Sequence, residues 1–154
     1  MAVVETSSEL LEALRRHELV IARLYEVYAK RFPEYEEFWM ELSREEIQHA
    51  DWIGGLAARV EDGSDCFVVN RFPIGAVEHS IAYVEGLANA PGQPDFLLMN
   101  AVSTALYLEK ALIENKYFEV FSGDGVETKR ILNALTQSTQ THYQRLHKVW
   151  QELG

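Results

Sequence analysis

Residues 17–53 read HELVIARLYEVYAKRFPEYEEFWMELSREEIQHADWI, and this stretch decides the fold. Apolar side chains recur in it at intervals of three and four, the period of an α-helix with one buried face. Pro33 is its one break, because proline disfavours helix at the residue before it and can open a new one. Three polar residues, Glu18, Glu46 and His49, fall in phase with the apolar ones.

Working outward, helix A covers about residues 7 to 31, with Leu11, Leu14, Glu18, Ile21, Ala22, Tyr25 and Ala29 on one face and a capping box of Thr6 and Glu9 at its start. Helix B runs from about Pro33 to Val60, with Phe38, Leu42, Glu46, His49, Ile53 and Leu56 aligned. Its Gly54-Gly55 pair costs roughly 1 kcal/mol per glycine and marks either a close helix contact or an early end. Residues 61 to 72 carry turn signals and read as a loop; a shorter amphipathic helix spans about 74 to 88, and NAPGQP at 89–94 is a second break. Helix C spans about 95 to 121, with Leu98, Val102, Ala105, Leu106, Glu109, Leu112 and Ile113 on one side. It stops at Ser122-Gly123-Asp124-Gly125, where glycine supplies a left-handed cap. Helix D, capped by Asp124 with Glu127, covers about 125 to 153 with Leu132, Leu135, Thr139, His142, Leu146 and Val149 in register.

No segment alternates with period two for long enough to argue a sheet. The expected architecture is all-α: a single domain over residues 1–154, folded as a four-helix bundle of the ferritin-like kind. A and B form one hairpin and C and D another, joined by a long crossover that carries the short helix.

Composition narrows the function. The chain has 154 residues, 47% hydrophobic, with 24 acidic against 14 basic side chains and a formal charge of −10. That balance argues against a nucleic-acid partner, which would need clustered Lys and Arg, and makes cations the plausible charged partners. The one cysteine, Cys66, cannot form an intrachain disulfide or a thiolate metal site and reads as a loop thiol. The N-terminal residues have no basic, signal-like region, and the apolar runs are shorter than the roughly 20 residues of a membrane span, so the expectation is a cytoplasmic protein with no membrane partner.

The informative residues are the polar ones on the apolar faces: Glu18 on A, Glu46 and His49 on B, Glu109 on C and His142 on D. Singly, each has a bland explanation. Glu18 could pair with Arg15 or Lys30, Glu109 with Lys116, and His142 could be a satisfied core histidine. Jointly, the order Glu, Glu-x-x-His, Glu, His places one element on each helix, as a four-helix carboxylate site requires. Isolated buried carboxylates are costly, and sharing divalent metal ions would offset that cost. Glu78 and His79 read as a surface pair on the short helix, Glu114 as a solvated charge, and His17 and His147, beside the inward faces, as solvent-facing or at best as supports behind the ligands. No phosphate loop, nucleophile elbow or Cys-His pair is present.

The stretch at 17–53 resembles the first half of the ferritin-like domain of the rubrerythrin family, in Glu18 followed by Tyr25 and in the E-x-x-H-A element of Glu46, His49 and Ala50. The resemblance extends over roughly residues 7–60 and 94–153. It implies a dinuclear iron or manganese site, with Glu18 and His49 as terminal ligands of one ion, Glu46 as a bridge, and Glu109 and His142 as terminal ligands of the other. Tyr25 would be a hydrogen-bond donor beside the ligands or a radical trap. The implied chemistry is that of a non-haem di-iron oxidoreductase of ferroxidase or peroxidase type, oxidising Fe(II) with dioxygen or peroxide. Complete rubrerythrins also carry a rubredoxin-type domain with paired Cys-x-x-Cys elements; with one cysteine here, turnover would need an external electron donor.

The second half departs from that pattern. At a constant offset of 93, Leu135 falls on Leu42, His142 on His49, Leu146 on Ile53 and Val149 on Leu56, but Thr139 falls on Glu46 and Lys116 stands where the tyrosine would repeat. The second bridging carboxylate is missing, so Glu18, Glu46 and Glu109 set three negative charges against the four positive charges of two divalent ions. Three outcomes stay open: an asymmetric pair completed by water or hydroxide, a single ion, or a bundle without metal chemistry that serves as a structural or partner-binding protein. A small-ligand binder is a further alternative. Trp39, Trp52 and Trp150 leave enough apolar area for a homodimer, but one core can also absorb them, so the oligomeric state stays open.

Overall fold

The computed structural model describes residues 2–61, 68–69, 74–115, 121–122 and 125–154. Among the described residues the secondary structure is helical apart from one two-residue strand pair, with five α-helices: α1 Ala2–Arg31, α2 Glu36–Glu61, α3 Ile74–Leu87, α4 Leu98–Asn115 and α5 Val126–Leu153. Among the described residues no helix is long and apolar enough to cross a membrane.

Helix A begins earlier than its spacing suggested. α1 already runs from Ala2, so Thr6 and Glu9 lie inside it and do not cap its start. The break at Pro33 holds, as a 3-10 turn at Pro33–Tyr35 that hands directly to α2 at Glu36. α2 then passes through Gly54-Gly55 without ending. A methyl group at Gly54 would meet only Arg15 Cδ at 3.7 Å, and one at Gly55 would meet nothing within 4 Å, so neither glycine marks a close contact.

The expected helix C is too long at both ends. Asp95–Leu97 are not helical, and the side chain of Asn100 reaches back to accept from the Leu97 amide at 2.7 Å, which sets the start of α4 at Leu98. At the other end Phe121 and Ser122 form β2, paired antiparallel with β1, Val68–Val69, in the register Val68 to Ser122 and Val69 to Phe121. This two-residue pairing lies within segments read as loop and helix end, too short for any period to announce it. α5 opens at Gly125 in an extended conformation with no side-chain cap. Cys66, Lys116, Gly123 and Asp124 lie outside the described residues, as does the side chain of Glu114.

α1 packs along α2 and along α3, α4 packs along α5, and α2 also meets α5. Between them lies one cluster of buried side chains, with Leu10, Leu14, Ile21, Leu24, Leu42, Ile53, Leu56, Val102, Leu112, Leu135 and Leu146 at 5% exposure or less. Tyr25, Tyr28 and Trp39 fill its middle, their ring centroids 4.9–6.5 Å apart. Arg31 ties the crossover to the end of α1 by donating to the carbonyls of Pro91 (3.0 Å) and Phe96 (2.9 Å).

Candidate metal centre

Glu18, Glu46, His49, Glu109 and His142 are each 2% exposed or less, so the five polar residues in phase with the apolar faces are all buried. The helices bring them together. Glu18, Glu46 and His49 form one group and Glu46, Glu109 and His142 a second; within each, one donor atom per residue lies within 4.8 Å of the others. Glu46 belongs to both. Its Oε2 is 3.3 Å from His49 Nδ1 and its Oε1 is 2.9 Å from His142 Nδ1, so one oxygen serves each half.

The remaining distances complete the centre. His49 Nδ1 is 3.7 Å from Glu18 Oε2, and His142 Nδ1 is 3.4 Å from Glu109 Oε1. The two imidazoles stack, with centroids 5.2 Å apart and planes inclined by 21°. Tyr25 donates its hydroxyl proton to Glu109 Oε1 at 2.8 Å, linking α1 to α4.

Neither Arg15 nor Lys30 takes up Glu18, since Arg15 pairs with Glu12 and Lys30 is exposed. Thr139 is buried at the expected gap, but its hydroxyl donates to the Leu135 carbonyl of its own helix at 2.9 Å. Glu78 is exposed and pairs with Arg16, and His79 is exposed, both as expected of a surface pair. His147 is partly buried, stacked between Tyr143 and Trp150.

His17 corrects the sequence reading. It is buried, 3% exposed, with Nε2 2.8 Å from Ser80 Oγ. One residue off the inward face of α1, it meets α3, which gives α1 a second covered flank. Sequence reasoning also passed over two residues behind the histidines. His49 Nε2 lies 2.7 Å from Ser138 Oγ, and His142 Nε2 lies 3.4 Å from Glu45 Oε1.

The electrostatics follow from burial. Desolvation, with the Glu46 charge beside it, pushes the Glu18 carboxyl up to about 8. Burial and Glu109 act to raise Glu46 too, but the polar groups of Glu18, His142 and His49 beside it hold it below the ordinary carboxylate value. Burial alone would lower both histidines; their carboxylate partners reverse this and push His49 up to about 10 and His142 up to about 11. Tyr25 is raised well above an ordinary phenol by burial and then by Glu109.

The donor set suits a hard or borderline divalent cation, which takes carboxylate oxygen and imidazole nitrogen. Glu18 Oε2, Glu46 Oε2, Glu109 Oε2, His49 Nδ1 and His142 Nε2 are buried with no hydrogen-bond partner, an arrangement that is costly unless a further group takes them up. No protein-family model, curated protein or solved structure matches the chain.

Proposed function

We propose that this chain is a metal-binding protein of the ferritin-like, rubrerythrin-like class, holding iron or manganese between α1, α2, α4 and α5. The observation that carries this reading is the pair of buried donor groups that share Glu46, with orphaned carboxylate oxygens in both and an orphaned nitrogen, His49 Nδ1, in the first. Glu18 and His49 would hold one ion, Glu109 and His142 the other, and Glu46 would contribute one oxygen to each. When bound, such ions supply one-electron redox chemistry, so that Fe(II) is oxidised by dioxygen or peroxide. The protein's share is to fix the donors, to exclude water with the surrounding apolar side chains, and to hold Glu109 through the Tyr25 hydroxyl. Thr139 contributes no donor from its expected position, which leaves either an asymmetric pair or a single ion.

A second reading, a metal-free bundle that binds a partner, draws on the same Thr139 and on the raised proton affinity of Glu18, His49 and His142, which lets protons offset the buried charge. Elemental analysis separates the two. Protein purified without chelator should carry stoichiometric iron or manganese, and His49→Ala should lose most of it. Less than about a tenth of an equivalent in both proteins, even after anaerobic Fe(II) loading, would sink the metal reading and leave the second.

A further inference from the structure

The offset of 93 that sets Thr139 on Glu46 and His142 on His49 also sets Ser138 on Glu45. The structure uses this last pair reciprocally. Ser138 on α5 stands behind His49 of α2, with Oγ 2.7 Å from Nε2, and Glu45 on α2 stands behind His142 of α5, with Oε1 3.4 Å from Nε2. Each histidine therefore turns Nδ1 toward the buried carboxylates and Nε2 toward a residue of the opposite hairpin. The two supports differ in charge: one is a hydroxyl, the other a carboxylate.

Glu45 is fixed in place. Arg145 NH1 reaches its two oxygens at 2.8 and 3.2 Å, while Arg145 NH2 reaches Glu41 at 3.1 Å. Two carboxylates against one guanidinium leave this surface group with a single net negative charge, and Glu45 meets the buried centre at the His142 ring. That ring belongs to α5, the helix whose own E-x-x-H carboxylate is replaced by Thr139.

We propose that Glu45 is a positioning residue that supplies, from behind His142, the negative charge that Thr139 withholds from the α5 half of the centre. This rests on the metal-binding reading above. From 3.4 Å, without a formed hydrogen bond, the Glu45 carboxylate favours the proton on Nε2 and so the tautomer whose Nδ1 lone pair faces an ion, and it strengthens that lone pair as a donor; such partners are typically worth 10- to 100-fold in metal affinity. The His49 half sits on a helix that keeps its own Glu46, and there a neutral serine suffices.

Calorimetric titration with Mn²⁺ tests the assignment on the full chain, comparing the parent with Glu45→Ala and Glu45→Gln, each also in a His142→Ala background. Gln keeps the shape and an acceptor oxygen but removes the charge, so a packing role would spare it. The expected result is a loss of about tenfold or more in both single variants, and no further loss from either when His142 is already alanine. Glu45→Gln binding within twofold of the parent would overturn the assignment, and so would an equal loss with or without His142. If the parent itself takes up no Mn²⁺, it is the metal-binding reading that fails and this assignment falls with it, an outcome distinct from a binding parent with indifferent variants.

Discussion

Tyr25 and Glu109 meet across the core, the phenol of α1 donating to the carboxylate of α4 at 2.8 Å with both residues fully buried. A hydrogen bond to a charged group contributes about 1.5–3 kcal/mol, and its loss leaves the acceptor stranded. Tyr25→Phe should therefore lower the stability of metal-free protein by about 1–3 kcal/mol, read as a shift in the urea midpoint in chelator. An unchanged midpoint would mean that Glu109 has other support.

The pH dependence of the metal-free protein has a defined sign. Glu18 is raised to about 8, His49 to about 10 and His142 to about 11, so the native state holds protons that the unfolded chain releases. The stability these groups contribute is complete below their unfolded values, near 4.5 for Glu18 and 6.5 for the histidines. It is lost as pH rises through the folded ones. Glu46, lowered, acts in the opposite direction and loses its contribution as pH falls below the ordinary carboxylate range. Urea unfolding in chelator should show maximal stability near pH 5 and a steady decline from there to pH 10. A rise over that interval would contradict the buried proton assignment.

Metal binding should reverse this trend, because ligands must lose their protons to bind. Mn²⁺ affinity should increase from pH 6 to pH 8, with proton release visible as a buffer-dependent enthalpy. Proton-neutral binding would place the ion elsewhere.

Thr139→Glu should separate stability from affinity. In metal-free protein a fourth buried carboxylate is costly, by several kcal/mol when unpaired, and the melting temperature in chelator should fall. With Mn²⁺ present the variant should melt above its own metal-free form by a larger margin than the parent does. Equal margins would show that position 139 does not face the ions.

Gly55 sits in an exposed turn of α2 with open space where an alanine methyl group would stand, so Gly55→Ala should stabilise by about 0.5–1 kcal/mol through helix propensity alone. A loss on thermal melting would point to a contact made by the native backbone in solution.

The site was more legible than its surroundings. Glu18, Glu46, His49, Glu109 and His142 stand out because each interrupts an apolar period, and the structure buries all five. Glu45, Ser138 and Arg145 occupy the partly exposed phase of their helices, where polar residues are ordinary. Only the approach of the opposite hairpin gives them a role, although the offset of 93 relates Glu45 to Ser138 once their roles are known. His17 was misplaced because one helix has one apolar face in a periodicity argument, whereas α1 is covered on two flanks. The ends of α4 were overrun because apolar residues such as Phe96 and Phe121 continue the helical pattern while serving the crossover and the β1–β2 pairing.

The two donor groups also differ in how far apart along the chain their members lie. Glu18, Glu46 and His49 all belong to the α1–α2 hairpin, whereas His142 meets Glu46 across 96 positions. Closing the second group therefore carries the greater loop-closure entropy. During synthesis the first hairpin emerges complete, with its three donors able to meet, while α5 is still unmade. An ion taken up at that stage would act as a nucleus on which the second hairpin docks, so that the order of assembly, as well as the final affinity, would distinguish the two halves.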